Sequence, residues 1–312
     1  MVSITQNTEH TKSKSTVLFE KLICGGTAGS VAKTAVAPLE RVKILFQVRS
    51  PNYPYTGVPG TLFRIVQREG FLALYYGNLS SVIRIFPYAA IQFVSFDIYK
   101  KLLAPDNGIS LLANFTAGAL AGATSVVFTY PLDVARARLA VQLSSSELRQ
   151  YRGLYDALKS MYVKEGGVPA LYRGAGPTML GILPYAGFNF FTYDTLKWYY
   201  INKWSNNETI PTHIRLVFGS CAGVIGQTIV YPLDVIRRRM QIDGIALAKD
   251  NMFDYKYKSS WSAGKEILQK EGWKLLFRGL HINYIKVIPL VSVSFVVNDL
   301  LRSKFGLAGV GE

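Results

Sequence analysis

The sequence predicts an all-α membrane protein: six transmembrane helices in three pseudo-symmetric repeats of ~100 residues, each with a short amphipathic helix between its two spans. Three observations carry this reading. A proline–x–acid–x–x–base string occurs three times, as Pro38-Leu39-Glu40-Arg41-Val42-Lys43, Pro131-Leu132-Asp133-Val134-Ala135-Arg136 and Pro232-Leu233-Asp234-Val235-Ile236-Arg237, with the prolines 93 and 101 residues apart. Six apolar stretches lie near 17–48, 78–101, 111–143, 176–200, 211–242 and 281–303, and each can supply the ~20 residues that cross a bilayer. Charged residues make up 18% of the chain, against roughly 25% in a soluble domain. A single copy of the string would be a kinked helix beside a solvated pair; three copies with matched flanks are a repeat. The divisions that follow are a disordered tail at 1–16, repeats at 17–105, 106–205 and 206–305, and a C-terminal tail at 306–312.

The net charge of +15 is compatible with nucleic acid, an anionic membrane surface or an anionic substrate. Nucleic acid is set aside as a partner, because so much of the apolar sequence lies in six blocks and leaves no soluble basic face. Cys24 and Cys221 sit inside apolar blocks and give no disulfide framework, and the scattered His10, His213 and His281 give no metal site. No nucleophile–base pair or metal cluster is visible, so a membrane enzyme is not expected. Residues 1–16 have Lys12 and Lys14 but no arginine and no apolar run; they match neither a secretory signal nor a transit peptide, and any targeting is internal.

The odd-numbered blocks each carry a pair of glycines four apart: Gly25 and Gly29, Gly118 and Gly122, Gly219 and Gly223. Each pair ends nine residues before its proline. Such pairs predict close helix approach, and the prolines predict kinks that neighbouring helices satisfy. Surface helices are expected at about 58–70, 153–165 and 259–271, ending in Glu69-Gly70, Glu165-Gly166 and Glu271-Gly272. An aromatic-x-Gly string follows each: Tyr75-Tyr76-Gly77, Tyr172-Arg173-Gly174 and Phe277-Arg278-Gly279. Two readings of these strings stand side by side. The helix starts at Gly77, Gly174 and Gly279, with Arg173 and Arg278, hold a lipid phosphate, or they serve only as caps and interfacial anchors.

The even-numbered blocks align without gaps. Pro87, Pro184 and Pro289 each precede an acid by ten residues (Asp97, Asp194, Asp299), and a base follows three later (Lys100, Lys197, Arg302). Three repeats in a bilayer predict a ring around a central path, with an acid–base set at each end. Around such a ring the pairs run between neighbours: Glu40–Arg136, Asp133–Arg237 and Asp234–Lys43 at one end, Asp97–Lys197, Asp194–Arg302 and Asp299–Lys100 at the other. Gln47 and Gln241 sit one turn beyond Lys43 and Arg237, placed to brace a pair, while Ala140 leaves the second repeat without a brace. Two such gates give alternating access. Exposed ion pairs contribute only ~0–1 kcal/mol each, so either gate is expected to be weak enough for a substrate to shift.

Between the gates the threefold pattern breaks. Three residues before the even-helix prolines stand Arg84, the Gly181-Ile182 pair and Lys286. Lys33, five before Pro38, has Val126 and Gln227 as counterparts. Arg84, Lys286 and Lys33 suit phosphates, while Gly181, Ile182 and Tyr185 suit a planar base. No acid lies near Arg84 or Lys286 in sequence, so they are expected to be free for a phosphorylated substrate rather than paired.

These strings together resemble the mitochondrial carrier family over roughly residues 18–305. The resemblance implies six tilted helices, surface helices on the matrix side and cardiolipin bound there, with no other cofactor. It places the protein in the inner mitochondrial membrane with both termini in the intermembrane space. The Glu40, Lys43, Asp133, Arg136, Asp234 and Arg237 set, with its glutamines, becomes the matrix gate. The Asp97, Lys100, Asp194, Lys197, Asp299 and Arg302 set becomes the cytoplasmic gate. Within the family, Arg237-Arg238-Arg239-Met240-Gln241-Ile242 departs from the string of the ADP/ATP exchanger. The Ile85-to-Phe93 stretch, Gly181-to-Gly187 and Lys286 look most like the coenzyme A branch. The implied function is antiport of coenzyme A or a related adenosine phosphate (ADP, adenosine 3′,5′-bisphosphate). The alternative is an ATP-Mg/phosphate-type or other nucleotide or cofactor carrier without calcium control, since no EF-hand loop is present. The expected functional unit is a monomer. Tyr76 replaces the basic residue expected before Gly77, Asn298 replaces an aromatic before Asp299, and Gly166-Gly167 adds one residue to the second repeat.

Overall fold

The computed structural model describes residues 14–50, 53–103, 111–143, 150–204, 210–243, 257 and 259–305. Six long helices dominate it: α1 (Lys14–Gln47), α3 (Asn78–Leu103), α4 (Leu111–Val141), α7 (Ala175–Trp204), α8 (Thr212–Ile242) and α10 (Leu280–Lys304). Between the members of each pair lie shorter helices: α2 (Gly57–Glu69), α5 (Leu154–Lys164) with the single turn α6 (Val168–Leu171), and α9 (Ser260–Glu271). Helix α1 begins at Lys14, three residues inside the expected tail; most of that tail, including His10, lies outside the described residues, as does the C-terminal tail.

All six long helices carry their proline internally: Pro38, Pro87, Pro131, Pro184, Pro232 and Pro289. Four stretches are long and apolar enough to cross a membrane by themselves: Phe71–Leu103, Ala113–Val141, Ile214–Ile242 and Trp273–Lys304. Helices α1 and α7 span 34 and 30 residues but fall outside that set. Their sequences are diluted by Lys33, Glu40, Arg41 and Lys43 in α1 and by an aromatic, amide-containing run in α7. They complete the bundle through packing rather than through hydropathy. Phe128, Phe191 and Ile288 are 69%, 70% and 72% exposed, as outward faces are when lipid replaces water.

Helix α3 packs on α4, α7 on α8, and α10 returns to α1, so the three repeats close into a ring. The glycine pairs do not make the close approaches their spacing predicts. A Cβ at Gly25, Gly122, Gly219 or Gly223 would meet nothing within 4 Å, one at Gly118 only the Phe96 ring at 3.9 Å, and one at Gly29 only Ile85 at 3.7 Å. The tight positions lie elsewhere. A Cβ at Gly26 would strike the Phe86 ring at 2.4 Å, and one at Gly226 would meet the Tyr185 carbonyl at 3.3 Å.

The three aromatic-x-Gly glycines are a second set of close contacts. Gly77, Gly174 and Gly279 have φ of +82°, +81° and +86°, a region costly for residues with a Cβ. Each backs onto the next repeat at its gate base: Cβ atoms there would lie 2.7 Å from the Arg136 carbonyl, 2.9 Å from that of Arg237 and 3.6 Å from that of Lys43. Thus the start of each even helix is seated on the neighbouring odd helix. In the second repeat the extra residue is absorbed by Gly166 and Gly167, both at positive φ, and by α6 in place of the 3₁₀ turns Phe71–Tyr75 and Trp273–Phe277 of the other repeats.

A ring of buried arginines, not singled out by the repeat pattern, ties these parts together. Arg41 donates to Glu69 at 2.9 Å and to the Ala140 and Gln142 carbonyls of the next repeat. Arg138 donates to Glu165 at 2.5 Å and to the Gln241 and Asp243 carbonyls. Arg239 donates to both oxygens of Glu271 at 2.7 Å and to the Gln47 carbonyl. Each joins its own surface helix to the buried carbonyls at the end of the next odd helix, where backbone acceptors have no helical partner. Arg41 comes from a different register than the other two, three residues after its proline rather than seven. It lies over the Tyr76 ring at 5.1 Å, so the Tyr76 departure coincides with a displaced arginine. Tyr53 and Tyr151 donate to Glu69 and Glu165; burial pushes the Tyr151 phenol up to about 12, so it stays a donor.

Candidate functional site

The three prolines of the odd helices bring their acids and bases to one end of the ring. There Arg136 donates to Glu40, Arg237 to Asp133, and Lys43 to Asp234, the last at 2.7 Å. All three pairs run between repeats. Gln47 Nε2 donates to Asp234 at 3.0 Å and Gln241 Nε2 to Asp133 at 3.0 Å. The Glu40 pair has no glutamine, since Ala140 stands in that place. Tyrosines immediately before two of the prolines add a face: the Lys43 ammonium lies 5.3 Å from the Tyr231 ring and the Arg237 guanidinium 5.7 Å from the Tyr130 ring.

These pairs are not the exposed ones on which a weak gate was expected. The Asp133 side chain is 1% exposed and Glu40 8%. Burial raises the cost of leaving one partner alone, so this end is held firmly rather than loosely.

At the opposite end the expected pairs are not made. Asp97, Lys100, Asp194, Lys197 and Asp299 are exposed, and among the described residues none of Asp97–Lys197, Asp194–Arg302 or Asp299–Lys100 forms an ion pair. The ring is therefore closed at the proline-motif end and open at the other.

Just inside the closed end lies a cavity of about 240 Å³. Its lining brings together Lys33, Val126 and Gln227, the three equivalent positions that break the repeat, with Arg84 and Lys286. The paired acids and bases of the proline motifs also line it. Seven cationic side chains line it (Lys33, Lys43, Arg84, Arg136, Arg237, Arg238, Lys286) against three acids (Glu40, Asp133, Asp234). The formal surplus is four positive charges.

The expectation that Arg84 and Lys286 lack acidic partners is overturned. Arg84 donates to Asp133 Oδ1 at 3.2 Å and to Thr129. Lys286 lies 3.3 Å from Glu40 Oε1, and Lys33 lies 3.5 Å from the same oxygen. Sequence distance hid these partners, because the acids belong to other helices at the same depth. The two lysines converge on Glu40, the carboxylate without a glutamine brace. Asp133 is shared by Arg84, Arg237 and Arg238, the last at 3.6 Å.

The charged cavity continues into a second of about 240 Å³ that holds Gly181, Ile182 and Tyr185. The two share Val126, Gln227, Asp234 and Arg237. A Cβ at Gly181 would come within 3.0 Å of Val230, so the glycine keeps this slot thin. The result is a cationic chamber opening onto a thin, mostly apolar slot.

Two residues of the chamber escaped the sequence reading. Arg238 follows the motif's base directly, and Asn283 lies one turn before Lys286. Asn283 is 3% exposed, lines the chamber, and its Oδ1 has no hydrogen-bond partner. The signal available was an amide in the first turn of an apolar helix, three residues from a lysine and on the same face. The two arginines expected at a lipid site also touch groups of the protein: Arg173 donates to the Asp243 carbonyl at 2.6 Å and lies 3.5 Å from Glu165, and the Arg278 guanidinium lies 5.1 Å from the Tyr55 ring.

Comparison with known proteins agrees with this architecture. The family profile described as Mitochondrial carrier protein matches residues 14–107, 107–204 and 208–308. The chain is 42% identical over 302 residues to "Mitochondrial carrier protein CoAc1" of Arabidopsis thaliana, covering 92% of this chain and 90% of that protein. It is 42% identical over 301 residues to human "Solute carrier family 25 member 16", covering 93% and 89%. It is 41% identical over 291 residues to "Mitochondrial coenzyme A transporter SLC25A42" of Xenopus tropicalis, covering 91% and 85%. With three matched repeats, a closed ring of paired motifs and relatives at this level over most of their length, the chain belongs to the mitochondrial carrier family.

Proposed function

We propose that this chain exchanges coenzyme A, or a related adenosine phosphate, across the inner mitochondrial membrane by alternating access and without covalent chemistry. The observation that carries the reading is the chamber's surplus of four cations next to a thin apolar slot. A phosphomonoester carries about −1.5 to −2 charges at neutral pH. A diphosphate together with a 3′-monoester thus reaches a charge that the surplus neutralises, while the adenine ring lies against Gly181, Ile182 and Tyr185. The names of two relatives, a coenzyme A transporter and a CoAc1 carrier, point the same way.

In this reading Arg84, Lys33 and Lys286 are shared between substrate and gate. Each now neutralises a gate carboxylate. An arriving phosphate draws these cations toward itself and weakens the hold on Asp133 and Glu40, and the closed end is released when substrate is bound. The closed end faces the matrix, both termini lie in the intermembrane space, and cardiolipin binds at the surface helices with Arg173, Arg278 and the three helix-start glycines. A monomer is the working unit.

The test is counter-exchange in proteoliposomes loaded with coenzyme A, with labelled coenzyme A, adenosine 3′,5′-bisphosphate, ADP and ATP offered outside at equal concentration. Rapid exchange of coenzyme A and the bisphosphate is expected. In liposomes loaded with ATP, exchange confined to ATP and phosphate would assign the chain to the ATP-Mg/phosphate type instead. No exchange of any nucleotide would remove the substrate assignment.

A further inference from the structure

A third cavity, of about 330 Å³, continues from the slot between α4 and α7 and reaches Tyr88 of α3. It shares Val126, Ile182 and Tyr185 with the slot. Its character is different from the charged chamber: no ionised side chain lines it, and its walls are aromatic and aliphatic apart from Asn114 and the tyrosine hydroxyls. Gly118 and Gly122 both face it. The absence of a side chain at Gly122 brings no neighbour closer, since nothing lies within 4 Å of a Cβ built there. The glycine pair therefore opens a space instead of closing one. Asn114 sits half-buried two helical turns from Gly122, about 12 Å along α4, and among the described residues its amide forms no hydrogen bond.

We propose that this cavity holds the pantetheine arm of coenzyme A, so that one substrate occupies three connected compartments: phosphates in the cationic chamber, adenine in the slot, and the arm along α4. The inference rests on the functional reading above and adds the feature that tells coenzyme A from shorter adenosine phosphates. Chamber and slot together suffice for adenosine 3′,5′-bisphosphate. Coenzyme A has in addition a narrow chain with two amides and methyl groups. That chain springs from the diphosphate, so it needs a long, mostly apolar cleft that reaches the chamber, with a few amide or hydroxyl partners; chamber, slot and cleft all meet at Val126. Asn114, Tyr88 and Tyr185 supply those partners, and the bare backbone at Gly118 and Gly122 supplies the clearance.

The experiment compares Gly122→Leu and Asn114→Ala with wild type, full-length in liposomes, measuring half-saturation for coenzyme A and for adenosine 3′,5′-bisphosphate in parallel. Gly122→Leu fills the cleft and is expected to raise the coenzyme A value at least about tenfold, with the bisphosphate value unchanged. Asn114→Ala removes an unpaired amide without disturbing a packed neighbour, and is expected to raise the coenzyme A value about three- to tenfold, again selectively. The selective loss is the supporting result. Equal changes for both substrates, or no change for either, would overturn the inference and leave the chamber and slot standing; the cleft would then be a lipid-chain site or empty space. A wild-type protein that exchanges the bisphosphate but not coenzyme A would also overturn it alone. A wild-type protein that exchanges neither would overturn the functional reading as well.

Discussion

The two ends of the bundle carry the same chemical set, three acids and three bases, one of each from every repeat. At one end each acid meets the base of a neighbouring repeat, and at the other, among the described residues, none does. At the closed end the charges are withdrawn from water, braced by Gln47 and Gln241, faced by Tyr130 and Tyr231, and linked to Arg84, Lys33 and Lys286. At the open end five of the six stand exposed, with Arg302 half-buried. The same residue types thus do different physical work: a buried pair is costly to break, while an exposed one contributes little. What separates the two ends is the environment into which the helices carry their charges.

The largest expected effect separates the ends directly. Asp133→Ala leaves Arg84, Arg237 and Arg238 without their shared carboxylate, at a cost of about 3–5 kcal/mol. The matching change at the open end, Asp194→Ala, falls within ~0.5 kcal/mol. Thermal unfolding of the purified protein in detergent measures both, and equal losses would erase the distinction between the ends. Next in size, Arg84→Ala is expected to reduce counter-exchange on the order of a hundredfold in a protein that still folds and inserts. Uptake at the wild-type rate would remove Arg84 from the site.

Charge swaps sharpen the comparison inside the closed end. Asp234 has Lys43 as its one ion-pair partner among the described residues, whereas Asp133 also serves Arg84 and Arg238. Exchanging Lys43 and Asp234 is therefore expected to recover part of the transport lost in either single variant. Exchanging Asp133 and Arg237 recovers less, because the new arginine faces two others. Equal recovery would show that the extra cations on Asp133 carry no energetic weight. The smallest effect concerns the braces. Gln241 joins Tyr130, Asp133 and Arg238, while Gln47 is bonded to Asp234 and leaves its Oε1 without a partner. Gln241→Leu is expected to cost about 1–3 kcal/mol and Gln47→Leu about 1 kcal/mol or less, read from the same unfolding curves.

Particular residues show how far the sequence could be read. Lys33, Val126 and Gln227 were recognisable as the broken threefold position by counting back from the prolines, and all three line the chamber. Gln47, Gln241 and Ala140 showed two braces and one gap by the same counting. Distances between helices are not legible in spacing along the chain. Arg84 and Lys286 look unpartnered when acids are sought along their own helix, yet Asp133 and Glu40 reach them from elsewhere in the ring. The glycine pairs look like contact faces, yet Gly118 and Gly122 border open space, because helix rotation decides which face meets a neighbour. Arg41, Arg138 and Arg239 were invisible as a set, since Arg41 occupies another register and the three become equivalent only through the carbonyls they bind.

The amino-acid sequence by itself determined the number of repeats, the six proline-bearing helices, the partners available for each motif charge and the asymmetric cations between the two ends. Those properties follow from residue type and spacing, which covalent geometry fixes. Only the tertiary structure decided which end is closed, that its pairs are buried, that the central cations are drawn onto gate carboxylates, and that a glycine pair opens a cleft. Those depend on the tilt and rotation of whole helices, which set local dielectric and empty volume, and no spacing along a chain specifies either.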